Sequence, residues 1–223
     1  MTVTKRTLVA LAAATLLAAC GQAAGPAAGA GSGAKPANQW EVAGDFALGS
    51  PDAKVVVIEY ASIMCPHCAS FHADVLPTLK TNYIDKGLVR YVFRDFPTAP
   101  VEVAMAGHIM ARCAGPERYH DVINALMAQQ QNIIAAAQGP TGLRQALVQI
   151  AASAGLSEQQ YDACLKDQSM IDAISKVVEE GQSRYQIKGT PSIIINGELI
   201  RDPKVVTLEG LSALIDERLK AAG

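Results

Sequence analysis

Two cysteines in the spacing C-x-x-C, Cys65-Pro66-His67-Cys68, are the residues of this chain best placed to do chemistry. Thiols this close can switch between a dithiol and a disulfide. They follow an apolar, β-branched run, residues 55–60, and open a segment from Ala69 onward that reads as a helix. At a strand-to-helix junction this pattern reads as a redox pair more readily than as half of a metal site. Cys65 then falls at the first helical turn, where unpaired backbone N–H groups point outward and the helix dipole is positive. A thiolate there is stabilised, so the sulfur becomes reactive at neutral pH. Pro66 suits the first helical position, which needs no N–H. His67 can add positive charge beside the thiolate. Cys68 lies deeper in the turn, near enough to close a disulfide and less open to attack. Cys65 is therefore the candidate attacking thiol and Cys68 the resolving one.

Glu59 is out of place in a strand that reads as buried on both faces, because a buried carboxylate without a partner is costly. It is either an edge residue reaching water or a proton acceptor beneath Cys68. The second reading is preferred, since buried titratable groups concentrate at working sites. Zinc usually takes four ligands, and the chain has no second C-x-x-C and no paired-histidine motif. Met64 beside the pair leaves Cu(I) as a competing reading, because soft sulfur ligands select that ion. The redox reading needs no metal and no cofactor. His72, one turn past the motif, either faces solvent or tunes the dithiol. His108 and His120 read as surface or internally satisfied helix residues, not as ligands.

The elements that must position this pair come in a clear order. Lys5 and Arg6 precede an apolar run, residues 8–17, too short to span a bilayer and shaped like a signal peptide. The run ends in Leu17-Ala18-Ala19-Cys20, which looks like a bacterial lipobox with Cys20 as the lipidated N-terminus. An ordinary cleavage nearby is the alternative. Either way the mature chain is exported to a place where disulfides persist. Residues 22–37 are Gln22 followed by Ala, Gly, Pro and Ser with one Lys, and read as a flexible tether that offers no dimerisation segment. The chain is read as a monomer whose folded part begins near Trp40. A net charge of −2 gives no support to general affinity for nucleic acid or anionic membrane.

A helix is expected from the motif to about Asp85, kinked at Pro77. Residues 88–93 follow as a strand, so strand, helix and strand suggest a parallel βαβ unit. Five helices are then expected, at residues 101–114, 118–130, 143–154, 157–166 and 170–185, with a capping box at Ser157-Glu158-Gln159-Gln160. Cys113 and Cys164 lie on two of them. With Cys65 paired to Cys68 and Cys20 lipidated, a structural disulfide between them is the economical reading; two separate buried thiols are the alternative. Residues 192–200 read as a hairpin turning at Asn196-Gly197, and residues 206–221 as a closing helix. Gly189-Thr190-Pro191 stands just before the hairpin.

This order resembles the thioredoxin-like α/β fold with an inserted α-helical subdomain, as in the DsbA family of thiol–disulfide oxidoreductases. Cys65-Pro66-His67-Cys68 is identical to that family's active-site tetrapeptide, Glu59 stands at its buried acid position, and Thr190-Pro191 matches its cis-proline loop. The resemblance covers roughly Val42 to Ala221 and implies two thioredoxin-like parts (39–97 and 187–223) around a helical insertion (98–186), behind the signal peptide (1–19) and the lipidated cysteine and tether (20–38) read from the residues above. It implies disulfide donation to reduced exported clients, which pair with the Thr190-Pro191 loop, and reoxidation by a DsbB-type membrane partner. It also implies a periplasmic location, with membrane contact through the lipid. A threonine before this proline occurs in isomerases too, so an isomerase or reductase on the same fold stays open. His72 departs from the acidic residue often found there, so no charge network is carried over to it.

Overall fold

The computed structural model describes residue 2 and residues 36–139 and 142–223. The expected signal segment, the expected lipidation at Cys20 and nearly all of the expected tether fall outside the described residues. A sheet in the order β1-β3-β2-β4-β5 forms the centre. Its strands are β1 (Phe46–Leu48), β2 (Val55–Ala61), β3 (Val89–Asp95), β4 (Ser192–Ile195) and β5 (Glu198–Leu199). β2 runs parallel to β3 and antiparallel to β4. It is therefore paired on both edges, and every one of its residues is buried. Side chains alternate across a strand, and β2 feeds two cores accordingly. Val55, Val57 and Ala61 join the main core, while Val56, Ile58 and Tyr60 face the opposite layer. Glu59 shares the parity of the first set, so it points into the main core.

A parallel pair needs a crossover, and α1 (Pro66–Asp74) and α2 (Leu76–Leu79) begin it, followed by a π-helical turn, Lys80–Ile84. The single kinked helix expected here is instead broken at Val75. Pro77 has no N–H to complete the earlier turns, so the helix stops and restarts with proline in its first turn, where that N–H is not needed. β1 was not foreseen; its three residues pair antiparallel with β3.

Between β3 and β4 stand α3 (Val101–Cys113), α4 (Tyr119–Ala128), α5 (Gln130–Ala137), α6 (Gly142–Ser153), α7 (Glu158–Leu165) and α8 (Gln168–Tyr185). Five helices were expected, and α5 is the addition. It starts where Gln129 leaves helical geometry, and the buried Gln130 then donates to the Ile63 carbonyl at 2.8 Å, just before the C-x-x-C. The capping box at Ser157 is formed in both directions. α8 covers the far face of the sheet through Val177 and Tyr185, and the other helices build the main core. Sγ atoms of Cys113 and Cys164 are 2.01 Å apart, joining α3 to the end of α7. The hairpin turns through Asn196 and Gly197, both with positive φ, as a two-residue turn of this type requires. α9 (Leu208–Ala222) closes the fold, capped by Thr207, which accepts from the Gly210 N–H.

Candidate active site

Cys65 is the N-cap of α1, with Pro66 at the first helical position. The turn that presents it is shaped by Ser62, whose carbonyl accepts from the Cys65 N–H at 3.0 Å and whose hydroxyl accepts from the Met64 and Thr98 N–H groups. Cys65 is 8 % exposed and Cys68 is fully buried, so only the first sulfur can meet another protein. Both are thiols in this structure. The Thr190-Pro191 peptide is cis and lies against the motif: the Cys65 thiol donates to the Thr190 carbonyl at 3.3 Å.

The two thiols are driven apart electrostatically. Cys65 is lowered to about 5, chiefly by a hydrogen bond from the Cys68 thiol. Partial burial opposes this, and the Thr190 side chain and the backbone N–H groups of Cys68 and His67 add to it. These last donors are the free N–H groups of the helix N-terminus. The His67 ring is exposed, and its backbone, not its ring charge, is what touches the thiolate. Cys68 is pushed far up by burial, by its hydrogen bond to Cys65 and by the nearby Glu59 charge. Titrating the thiolate absorbance of the reduced protein should therefore show a midpoint near pH 5 that vanishes in Cys65→Ala. A midpoint near the ordinary thiol value of roughly 8.5 would contradict this geometry.

Glu59 is fully buried, as its parity requires. Its Oε2 meets His72 Nε2 at 3.1 Å and accepts from the Tyr91 hydroxyl, while Oε1 has no hydrogen-bond partner among the described residues. A polar network thus does surround His72, which is buried and not on the surface. Tyr91 was legible in principle, because it shares β3 parity with Phe93, the residue opposite Glu59. Nothing in the sequence pointed to Asn124, His72's second partner. His120 is buried, bonds the Phe46 carbonyl at 3.1 Å, and is held down to about 4 by burial. His108 is buried beside Asp95. Cys113 and Cys164 lie apart from the dithiol, on α3 and α7. Met64 is packed in the main core. Among the described residues no three His, Cys, Asp or Glu side chains are grouped to hold a metal ion, and no helix is long and apolar enough to cross a membrane.

A cavity of about 570 Å³ opens beside the motif, lined by His67, Phe71, Pro191, Ile200 and Leu208 among others. It places an apolar surface next to the one motif thiol that has any exposure.

A family model described as thioredoxin matches residues 41–217. The crystal structure of Wolbachia pipientis alpha-DsbA1 superposes with a TM-score of 0.70 at 26 % identity, covering 82 % of this chain and 95 % of that one. This chain belongs to the DsbA branch of the thioredoxin family. Two curated relatives of this DsbA-type protein carry matching descriptions. A putative protein-disulfide oxidoreductase of Rickettsia bellii is 29 % identical over 176 residues, 79 % of this chain. The chain spans 65 % of that relative's length. A probable disulfide bond formation protein D of Bacillus anthracis is 26 % identical over 178 residues, covering 78 % of this chain and 77 % of the relative.

Proposed function

We propose that this DsbA-type protein is a thiol–disulfide oxidoreductase that donates the Cys65–Cys68 disulfide to reduced, exported client proteins. The observation that carries this reading is the contrast between the two thiols: one stabilised as a thiolate at the surface, the other held neutral beneath it. A client thiolate attacks Cys65 Sγ. The Cys65–Cys68 bond breaks, its electron pair leaves on Cys68 Sγ, and that sulfur takes up a proton. A second client thiolate then attacks the client sulfur of the mixed disulfide and releases Cys65 as a thiolate. Cys65 is a good leaving group because its conjugate acid is strong. The client is now oxidised and the protein holds a dithiol. Lowering the Cys65 thiol from an ordinary value of roughly 8.5 to about 5 stabilises that dithiol at pH 7. The stabilisation is roughly 100-fold, on the order of 60 mV of oxidising power.

Thr190 and Pro191 are positioned to bind the client backbone, with the adjoining cavity taking its side chains. Glu59 serves as the proton acceptor and donor for Cys68. The cycle is completed by a DsbB-type membrane reoxidant. A lipid on Cys20 would hold the protein at the membrane of the periplasm, working as a monomer, and the Cys113–Cys164 bond would brace the helical layer.

The test mixes the oxidised soluble part, from about Asn38, with a stoichiometric reduced multi-thiol client. The expected result is rapid client oxidation that is lost in Cys65→Ala. No transfer from a protein whose Cys65–Cys68 bond is intact would turn the reading to a reductase or isomerase.

A further inference from the structure

Cys68 gains and loses a proton in every cycle, yet it is fully buried and so is Glu59. The acid is nonetheless linked to the surface. His72 Nε2 meets Glu59 Oε2 at 3.1 Å, and on the other side of the ring His72 Nδ1–H donates to Asn124 Oδ1 at 2.9 Å. Asn124 is exposed on α4. His72 and Asn124 both line a cavity of about 390 Å³ between α1 and the α4–α5 corner, with Pro66, Ala69 and Gln131. This cavity differs from the one beside Pro191. We propose that His72 is a proton relay between Glu59 and the Asn124 cavity, letting Cys68 exchange its proton with solvent away from the docked client. The proposal rests on the Cys65–Cys68 exchange reading and adds a role that the dithiol motif does not imply.

The proton balance is explicit. When client attack expels Cys68 as a thiolate, the His72 imidazolium passes its Nε2 proton to the Glu59 carboxylate, Glu59 passes a proton on to Cys68, and His72 takes up a replacement from the cavity side. On reoxidation the flow reverses. The Cys68 thiol must lose its proton to close the disulfide, and that proton leaves through Glu59 and His72. His72 never touches the reacting sulfurs, so it is a positioning residue and not a catalytic one. The groups around it suit the task. Glu59 faces it from β2, Asn124 and His120 lie on α4, and Tyr91 on β3 shares the same Glu59 oxygen. Burial disfavours the imidazolium, but the Glu59 charge and the hydrogen bonds to Glu59 and Asn124 outweigh it and raise His72 above its ordinary value.

The experiment preforms a mixed disulfide between Cys65 and a small peptide and follows peptide release by Cys68 at pH 7. In His72→Gly, release should slow by roughly 100-fold, the lower end of what a positioned proton carrier supplies. Added imidazole should restore it in a saturable way, entering the space the side chain vacated, while sodium chloride of equal ionic strength should not. His72→Gln, which keeps a hydrogen bond but cannot carry a proton, should stay slow. Release as fast in His72→Gly as in the natural protein would overturn the proposal. So would slow release that glutamine repairs and imidazole does not, because that pattern marks a purely structural role. If Cys65 forms no mixed disulfide at all, the exchange reading itself fails and takes this proposal with it.

Discussion

Cys65→Ala should lower the rate of client oxidation by at least about 10³-fold, the scale on which enzymes lose activity with their nucleophile. Cys65 is the only one of the two motif sulfurs with any exposure, and Cys68 has none, so no second sulfur can replace it. Cys68→Ala should behave differently. It keeps the lowered Cys65 thiol but loses the group that resolves, so covalent adducts with client should accumulate. Non-reducing electrophoresis of the two variants after incubation with a mixed-disulfide client separates these outcomes. Adducts through Cys65 in Cys68→Ala, and none in Cys65→Ala, are expected. Removing Cys68 also deletes the largest hydrogen bond that lowers Cys65. Its remaining thiol should therefore titrate higher than about 5, though below a free cysteine, because the helix N–H donors remain.

The second large effect concerns stability. Asp95 is fully buried at the end of β3 and accepts from Arg112 Nε at 2.6 Å and the Tyr119 hydroxyl at 2.8 Å. His108 Nδ1 approaches it at 2.7 Å, with off-line hydrogen-bond geometry. Asp95→Ala leaves the buried Arg112 without its counter-charge and should cost about 3–5 kcal/mol, measured by urea unfolding. A cost under roughly 1 kcal/mol would show that water reaches the site. The pH dependence has a definite sign. Burial pushes the Asp95 carboxyl up, but the Arg112 and His108 charges outweigh it and hold it well below the usual carboxylate range. Its contribution is therefore present above the unfolded value of roughly 3.9 and is lost as pH falls through the folded value. His120, held down to about 4 from 6.5, adds a loss between those two values as the unfolded chain takes a proton the folded one refuses. His72, raised by its partners, works oppositely, and its contribution fades as pH rises through its folded value.

Much of the site was legible because it depends on local sequence. Residues 55–60 form a strand paired on both sides because all of them but Glu59 are apolar or aromatic. Cys65 sits at a helix start because Pro66 follows it. The hairpin turns at Asn196-Gly197 because those two residues accept positive φ. What stayed hidden depends on contacts between distant segments. Arg94 is 1 % exposed. In sequence it looks like a surface cation, yet it pairs with Asp45, 49 residues earlier, and with Glu180, 86 residues later. Nothing local announces such a pairing. His72 was hidden for the same reason, since its environment comes from Glu59 on β2 and Asn124 on α4. α5 escaped notice because Gln130 looks polar, and only the exposed-looking glutamine's bond to the Ile63 carbonyl explains its burial. The break at Val75 shows the opposite case: Pro77 was seen, but its effect was to restart the helix, not merely bend it.

The central claim is that the fold stabilises the reduced pair and so makes the Cys65–Cys68 disulfide a donor. The most direct test is equilibration of that pair with glutathione buffers at pH 7, read by the mass of alkylated protein. Thioredoxin, with an attacking thiol near pKa 7, stands at about −270 mV. A Cys65 thiol at about 5 predicts a value less negative by roughly 50 mV or more. A potential at or below about −270 mV would contradict the account and mark the pair as a reductant.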